Sequence, residues 1–356
     1  MSVAAVLREQ GGAFAVEQVD VDDPRPGEVL VRVAGVGICN TDLAAAEGAL
    51  GLPLPVVLGH EGAGVVQAVG AGVDAVAPGD RVVLTFDHCG DCARCAGGHP
   101  AYCDRFAQLN ASGLRPDGTT TLSQEGSPLH ASFCGQSSFA SHALAGQCNA
   151  VPVRTDVPLE LLGPLGCSVQ TGAGAVLGVL DAQPGQGIAV VGLGAVGLSA
   201  VMAAVVAGCD PIVAIDPDPA RRALAVEFGA TRALDGSERV RPGVDLAVEA
   251  VGSQEAVTAA LRALASPGRC ATVGWRGPRN PLTVDQGHLL QGRTLTGVIE
   301  GDTVPGRFIP RLLELHAEGR FPFERLITTF PFADIGAAVD AARRGQVVKP
   351  VLVMDG

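Results

Sequence analysis

The sequence predicts an α/β chain of two domains: an all-β, barrel-like domain and a doubly wound parallel sheet. Three observations predict it. Short β-branched runs broken by Gly and Pro occupy the N-terminal part of the 356 residues. From about residue 188, strand-like and helix-like segments alternate. Gly192-Leu193-Gly194-Ala195-Val196-Gly197 falls at the first strand-to-helix junction of that alternating part. A chain of this length is too long for one compact core and fits two.

The elements follow in order. Residues 3–7, 29–36 and 62–69 read as strands, punctuated by turn signals at Pro24–Gly27, Pro53–Pro55 and Pro78–Asp80. Residues 89–135 read mostly as loop, rich in Gly, Ser and Thr. The texture changes near residue 165. Ile188–Val191 reads as a strand leading into a helix that runs to about Ala207. Ile212–Ile215 precedes a helix at Pro219–Phe228, and Val244–Val248 precedes one at Gln254–Ala265. A strand at Arg269–Gly274, a helix near 307–319 and a final strand near 350–354 complete the series.

Bulk properties exclude several classes. With 47% hydrophobic and 17% charged residues the chain is not disordered. Its net charge of −12, without a basic cluster, argues against nucleic acid and against an anionic membrane surface. Basic residues are 24 Arg and a single Lys, Lys349, which reads mainly as coding bias. Ten cysteines could mean a secreted disulfide protein, but MSVAAVLREQ lacks a signal-peptide pattern and a chain this large needs no staples. Reduced cysteines in a cytoplasmic metalloprotein are expected. Residues 161–180 and 188–209 carry no charge, yet acidic Asp181 and Asp210 flank them where a membrane span would show Lys or Arg.

Four cysteines, Cys89, Cys92, Cys95 and Cys103, are spaced C-x2-C-x2-C-x7-C in a Gly-rich stretch. Four thiolates this close can meet on one tetrahedral zinc. Such a shell is closed, so chemistry belongs elsewhere. Gly192, Gly194 and Gly197 permit a tight turn and close approach to a pyrophosphate at a helix N-terminus. Asp216 ends the next strand, nineteen residues past Gly197, and would accept the adenosine ribose hydroxyls. A carboxylate there repels a 2′-phosphate and favours NAD over NADP, although Arg221 and Arg222 nearby weaken the preference. The competing reading is that these small residues only permit tight helix–sheet packing.

Three further residues are Cys39 in GICNTD, His60 in GHEGAG and Cys167 in GPLGCSVQTG. Singly, each reads as an ordinary core residue. Beside a four-cysteine lobe and a nucleotide motif they read together as a metal site.

With GHEGAGVV, the cysteine lobe, the Gly192–Gly197 loop and GPLGCSVQTGAGAV all present, essentially the whole chain resembles the zinc-dependent medium-chain dehydrogenase/reductase family, alcohol dehydrogenase type. GQSSFA, LELLGPLGC, GAVGLSAVMAA and the IEGD…FIPRL region make it most similar to the aryl (benzyl) alcohol dehydrogenases. The resemblance implies a GroES-like catalytic domain over 1–165 and 301–356, with a structural-zinc lobe at 86–106, and a Rossmann domain over 166–300. It implies two zincs per chain. Cys39, His60 and Cys167 would hold the catalytic one, with Glu61 behind it, Asp42 orienting His60, and Thr41 bonding the substrate oxygen and starting the proton path. Phe133 and Cys134 match pocket positions, and Phe86 is a looser candidate. The implied reaction is reversible oxidation of primary aryl or allylic alcohols to aldehydes, by hydride transfer from a zinc-bound alkoxide to NAD.

Three positions depart from better-known relatives. Asn40 stands where a basic residue often contacts the cofactor pyrophosphate, leaving Lys349, which matches a C-terminal pyrophosphate-reaching position, as the expected charge partner. Ala44 replaces a histidine that often ends the proton relay, so the proton would pass from Thr41 through cofactor ribose and water. Trp275, the sole tryptophan, follows Gly274 where relatives carry a small residue. It reads as a pocket wall or as ordinary packing. Alternatives are a biosynthetic aldehyde reductase on a larger substrate and, against the metal ligands present, a zinc-free quinone reductase-like or structural relative. The expected partners are a small alcohol or aldehyde and a second copy in a homodimer or homotetramer, with a dimer joined through the Rossmann sheets favoured.

Overall fold

The computed structural model describes residues 2–238, 240–241 and 243–354. Two compact units emerge, Met1–Cys167 with Val304–Arg311 and Glu324–Gly356, and Ser168–Thr303 with Leu312–Phe323. The second unit therefore begins after Cys167, and it takes in residues 312–323, which the expected domain limits gave to the first. The reason lies in local bonding: Arg320 donates to the Val206 carbonyl at 3.2 Å, and Leu312, Leu315, Phe321 and Phe323 are fully buried.

In the first unit, β1 (Ser2–Leu7) and β2 (Phe14–Val21) form an antiparallel pair. β4 (Val56–Val57) adds beside β1, while β7 (Leu122–Gln124) and β8 (Ser127–Leu129) extend the other edge. A larger sheet contains β3 (Glu28–Gly37), β5 (Glu61–Val69), β6 (Arg81–Leu84), β10 (Ala150–Pro152), β17 (Ile327–Pro331) and β18 (Lys349–Val353). Its order is β10-β6-β5-β3-β18-β17, with β9 (His142–Gly146) also on β3. β3 shows why these residues form a strand. Val29, Val31 and Val33 are buried while Arg32 between them is exposed, the period of two that lets one face of a sheet meet a core. That core is Val, Ala, Leu and Phe from both sheets, small side chains that allow the two layers to approach.

In the second unit, β11 (Ile188–Val191), β12 (Ile212–Ile215), β13 (Arg232–Leu234), β14 (Val244–Glu249), β15 (Leu264–Thr272) and β16 (Arg293–Gly297) form one parallel sheet. Its order, β13-β12-β11-β14-β15-β16, is the doubly wound order, with the switch between β11 and β14. β11 and β12 are buried at every position, as strands covered on both faces must be. The helices obey their capping rules. Asp218 accepts the Ala220 N–H at 2.8 Å with Pro219 in the first turn, and Ser253 accepts the Ala256 N–H at 3.1 Å. The uncharged run 188–209 is thus a strand, a turn and a helix. Among the described residues no helix is long and apolar enough to cross a membrane.

Arg115, 5% exposed, pins a long loop of the first unit to the sheet. Its guanidinium bonds both Glu28 carboxylate oxygens (2.7 and 3.0 Å), Asp22 Oδ2 (2.7 Å) and the Thr120 carbonyl. Arg115→Met leaves Glu28 without its cation and Asp22 with Arg25 alone at 3.8 Å; Asp22 can also rehydrate, so the loss should be about 2–4 kcal/mol, near the lower end for a broken buried pair. Urea unfolding of the two proteins measures it, and a loss below about 0.5 kcal/mol contradicts the assignment.

Candidate active site and metal centres

The site in the first unit grows from one turn. The short helix Asn40–Ala46 follows β3, and its first turn holds Asp42, which is fully buried. Asp42 Oδ2 accepts the Cys39 N–H at 2.8 Å, and Oδ1 accepts the Gly59 N–H at 3.1 Å and lies 2.8 Å from His60 Nδ1. One carboxylate thereby ties Cys39 to His60, twenty-one positions apart, and commits His60 Nδ1. Nε2 is left as the coordinating nitrogen, the usual arrangement of a metal-bound imidazole backed by a carboxylate.

Cys39, His60, Glu61 and Cys167 each offer a ligand atom, all within 4.8 Å of one another. Two thiols and an imidazole, with the Glu61 carboxylate engaged by Lys349 at 2.9 Å, suit a zinc that keeps a fourth position for substrate. The electrostatics agree. Cys167, a partner thiol, together with the Lys349 and His60 charges, holds the Cys39 thiol well below its usual range in spite of burial. Burial works against the His60 cation, but Asp42, Cys134 and Cys39 together outweigh it and the ring is pushed well above its usual range. A metal entering here displaces that proton, so loading weakens as pH falls. Thr41 Oγ1 lies 3.8 Å from Cys39 Sγ, at the rim of the group. The Phe133 ring stands edge-on to the His60 ring, centroids 5.5 Å apart at 89°. Cys134 beside it is half-buried with φ 48°.

Two expectations need correction. Lys349 is 3% exposed and does not stand free for a phosphate. As the first residue of β18 it points inward, donating to the Ile38 carbonyl at 3.0 Å and lying 3.0 and 2.9 Å from the Glu61 oxygens. Burial opposes charge on both partners, raising Glu61, while the Glu61 carboxylate keeps Lys349 protonated well past its usual range. Phe86 is also buried, but it packs on His88 and Phe106 at 5.9 and 6.0 Å, making it a lobe residue. Sequence reading passed over Gln136, whose buried amide reaches the His60 carbonyl and the Gly62 N–H; its only signal was the GQSSFA stretch.

In the lobe, Cys89, Cys92, Cys95 and Cys103 place their sulfurs within 4.8 Å of one another. Cys95 Sγ lies 3.9 Å from Cys89 Sγ and 3.5 Å from Cys92 Sγ. Sulfurs on a 2.3 Å tetrahedral zinc are about 3.8 Å apart, so the group is shaped for that ion. Main-chain N–H groups of Cys92 and Arg105 point at Cys89 and Cys103 sulfurs at 3.4 Å, as thiolates require. No cysteine is joined in a disulfide.

In the second unit, Gly192 has φ 89°, a turn closed to most side chains. A Cβ on Gly197 would stand 1.8 Å from the Gly192 carbonyl, whereas one on Gly194 would meet open space. The helix Ala195–Ala207 therefore starts hard against its own strand, and the Gly194 side stays open for an anion at the helix N-terminus. Asp216 Oδ2 accepts the Leu193 N–H at 2.7 Å and Oδ1 the Asp218 N–H at 2.9 Å, so the acid sits against the loop. Arg221 is mostly buried, which lowers its pKa, and lies 4.0 Å from Asp218. Arg222 is turned back onto the Asp216 and Pro217 carbonyls. Asn40 is exposed at its helix start, and Trp275 is 38% exposed just past β15.

Comparison with known proteins agrees with this geometry. Residues 25–154 match the alcohol dehydrogenase GroES-like domain, and residues 195–318 match the zinc-binding dehydrogenase domain. The chain belongs to the zinc-dependent medium-chain alcohol dehydrogenase family. Geraniol dehydrogenase of Castellaniella defragrans is 46% identical, over 98% of this chain and 97% of that one. A zinc-binding-domain alcohol dehydrogenase protein from Burkholderia ambifaria superposes with TM-score 0.97 at 47% identity, covering 100% and 99% of the two chains. Benzyl alcohol dehydrogenase of Acinetobacter calcoaceticus does so with TM-score 0.94 at 39% identity, covering 99% of each. This alcohol dehydrogenase is thus an oxidoreductase of the zinc type acting on alcohols, with a GroES-like and a Rossmann-like domain.

Its two metal groups should separate by mutation. Cys95→Ser is expected to release one equivalent of zinc, lower the melting temperature and raise proteolysis near residue 95 while the other zinc stays. Metal analysis after gel filtration reads this, and loss of both zincs contradicts it. Gly197→Ala is expected to abolish dinucleotide binding by calorimetry, since the Gly192 carbonyl cannot yield; a Kd within threefold of wild type would show that the close approach is dispensable.

Proposed function

We propose that this alcohol dehydrogenase uses NAD to interconvert primary aryl or allylic alcohols and their aldehydes. The observation that carries the reading is the open ligand set of Cys39, His60 and Cys167 with the Thr41 hydroxyl 3.8 Å from the Cys39 sulfur. Zinc held by those three residues supplies Lewis acidity that polarises a substrate oxygen. NAD held on the Gly192–Gly197 loop supplies the hydride acceptor.

The residues divide the remaining work. Asp42 holds His60 in the tautomer that presents Nε2. Thr41 would hydrogen-bond the substrate oxygen and relay its proton, and Ala44 offers no imidazole to take that proton further. Glu61 and Lys349 form a buried charge pair beneath the ligand group and keep its local charge balanced. Asp216 accepts the ribose hydroxyls and discourages a 2′-phosphate. Gly194 and the helix start offer a place for the pyrophosphate. Cys134, half-buried beside the His60–Phe133 ring pair, lies on the side where a flat unsaturated substrate could approach. The printed activities of two relatives, on geraniol and on benzyl alcohol, support an allylic or aryl alcohol. The same groups serve aldehyde reduction, whose direction the cofactor pool sets.

Six cysteines gathered in two candidate metal-ligand groups, not in disulfides, support a reducing, cytoplasmic setting. β16 is an edge strand with Thr294 and Thr296 exposed, and Leu290 beyond its start is 77% exposed. A sheet that ends in β16, with exposed Leu290 beside it, supports a homodimer joined through the parallel sheets.

A panel of benzyl, cinnamyl and terpenoid alcohols with NAD and NADP, scored by kcat/KM, tests the assignment; preference for saturated short alcohols or for NADP contradicts it. Thr41→Val should lower kcat for alcohol oxidation by about 10²-fold or more while zinc content and melting temperature hold. Turnover within threefold of wild type refutes the proton path.

A further inference from the structure

Residues Phe133–Phe139 combine backbone strain with a dense set of hydrogen bonds that the roles above leave unexplained. Cys134 (φ 48°), Gly135 (φ 64°) and Ser137 (φ 48°) are all left-handed, and two of the three are not glycine. Such backbone persists only where its surroundings over-determine it. Here they do. Ser138 and Phe139 donate their N–H groups to the Gly59 and Leu58 carbonyls at 2.9 Å, and Ser137 Oγ donates to the Val57 carbonyl at 2.7 Å.

Gln136 sits in the middle, 1% exposed. Nε2 donates to the His60 and Thr85 carbonyls, both at 3.0 Å. Oε1 accepts the Gly62 N–H at 3.1 Å and the Ser138 hydroxyl at 2.9 Å. Two donations and two acceptances exhaust a carboxamide, and no other side chain of this size offers both. Two of these bonds fall on the peptide groups flanking Glu61, one of them on His60 itself. A third reaches Thr85, whose hydroxyl donates to the Gly166 carbonyl at 2.7 Å, one residue before Cys167. Asp42 orients the imidazole from one side. The amide holds the backbone from which that imidazole hangs, and links it to the segment carrying Cys167.

We propose that Gln136 is a positioning residue of the three-ligand metal site, setting the spacing of His60 and Cys167 through their main chains. It rests on reading Cys39, His60 and Cys167 as a metal site. Its action is on metal geometry, so it is visible without turnover.

The test uses the full chain loaded with cobalt(II), comparing wild type, Gln136→Met and Gln136→Glu. The glutamate keeps the acceptor oxygen and loses both donors. Arg115→Met serves as a variant destabilised in the same unit through a different set of bonds. The expected result for both Gln136 variants is an altered d–d spectrum of the sulfur–nitrogen site and loss of its cobalt to a chelator about 10–100-fold faster. For benzyl alcohol, kcat falls with KM near wild type, the four-sulfur charge-transfer bands stay unchanged, and Arg115→Met retains the wild-type spectrum. Gln136 variants that match wild type in spectrum and chelator rate, while melting lower, overturn the proposal and leave a purely structural role. Failure of both variants to fold overturns it in the same way. A wild-type chain that takes up only the four-sulfur cobalt sinks the underlying metal reading instead, and the inference with it.

Discussion

The buried Asp42 carboxylate is the constraint on which the catalytic half of the molecule depends. A carboxylate removed from water is costly unless every lone pair that matters is bonded. Asp42 meets that condition through the Cys39 and Gly59 N–H groups and His60 Nδ1. The same three bonds bring a ligand thiol and a ligand imidazole together before any metal arrives. Protein stability and site geometry are therefore one requirement here: the charge can be buried only in the conformation that assembles the site.

The charges around the ligand group extend this logic. Glu61 and Lys349 are each nearly inaccessible, and each is tolerable only because of the other. Their pairing places a fixed positive charge near Cys39 and a carboxylate near the ligand atoms. The four-cysteine lobe solves a simpler problem. Its sulfurs are gathered by a short Gly-rich turn and main-chain N–H donors, and a closed shell asks nothing of the surrounding core.

Much of this was legible in the sequence, for identifiable reasons. β11 and β12 lie at Ile188–Val191 and Ile212–Ile215, where apolar runs bounded by Gly and Pro had put them. Asp216 falls against the Gly-rich loop because a βαβ unit has a nearly fixed length. Cys39, His60 and Cys167, and separately the four lobe cysteines, lie within reach of one another, a proximity that their residue types and the lobe spacing had suggested. Other features were not legible. Which way Lys349 points depends on the register of β18 against its neighbours, a tertiary fact, and it turns the only lysine inward to Glu61. Phe86 follows a strand without continuing its alternation, so its side could not be assigned. Residues 312–323 pair with the second unit through packing that no local pattern announces. Gln136 bonds the main chain of residues 51 to 76 positions away, which no short motif encodes.

We propose that this chain builds two metal centres of different kinds, one closed by four sulfurs and one left open by two sulfurs and an imidazole. X-ray absorption at the zinc edge on the purified chain, combined with metal analysis, tests it most directly. The account predicts two zincs per chain, an average shell of about three sulfurs and one nitrogen or oxygen, and the outer-shell scattering of an imidazole. A single zinc in an all-sulfur shell would contradict it.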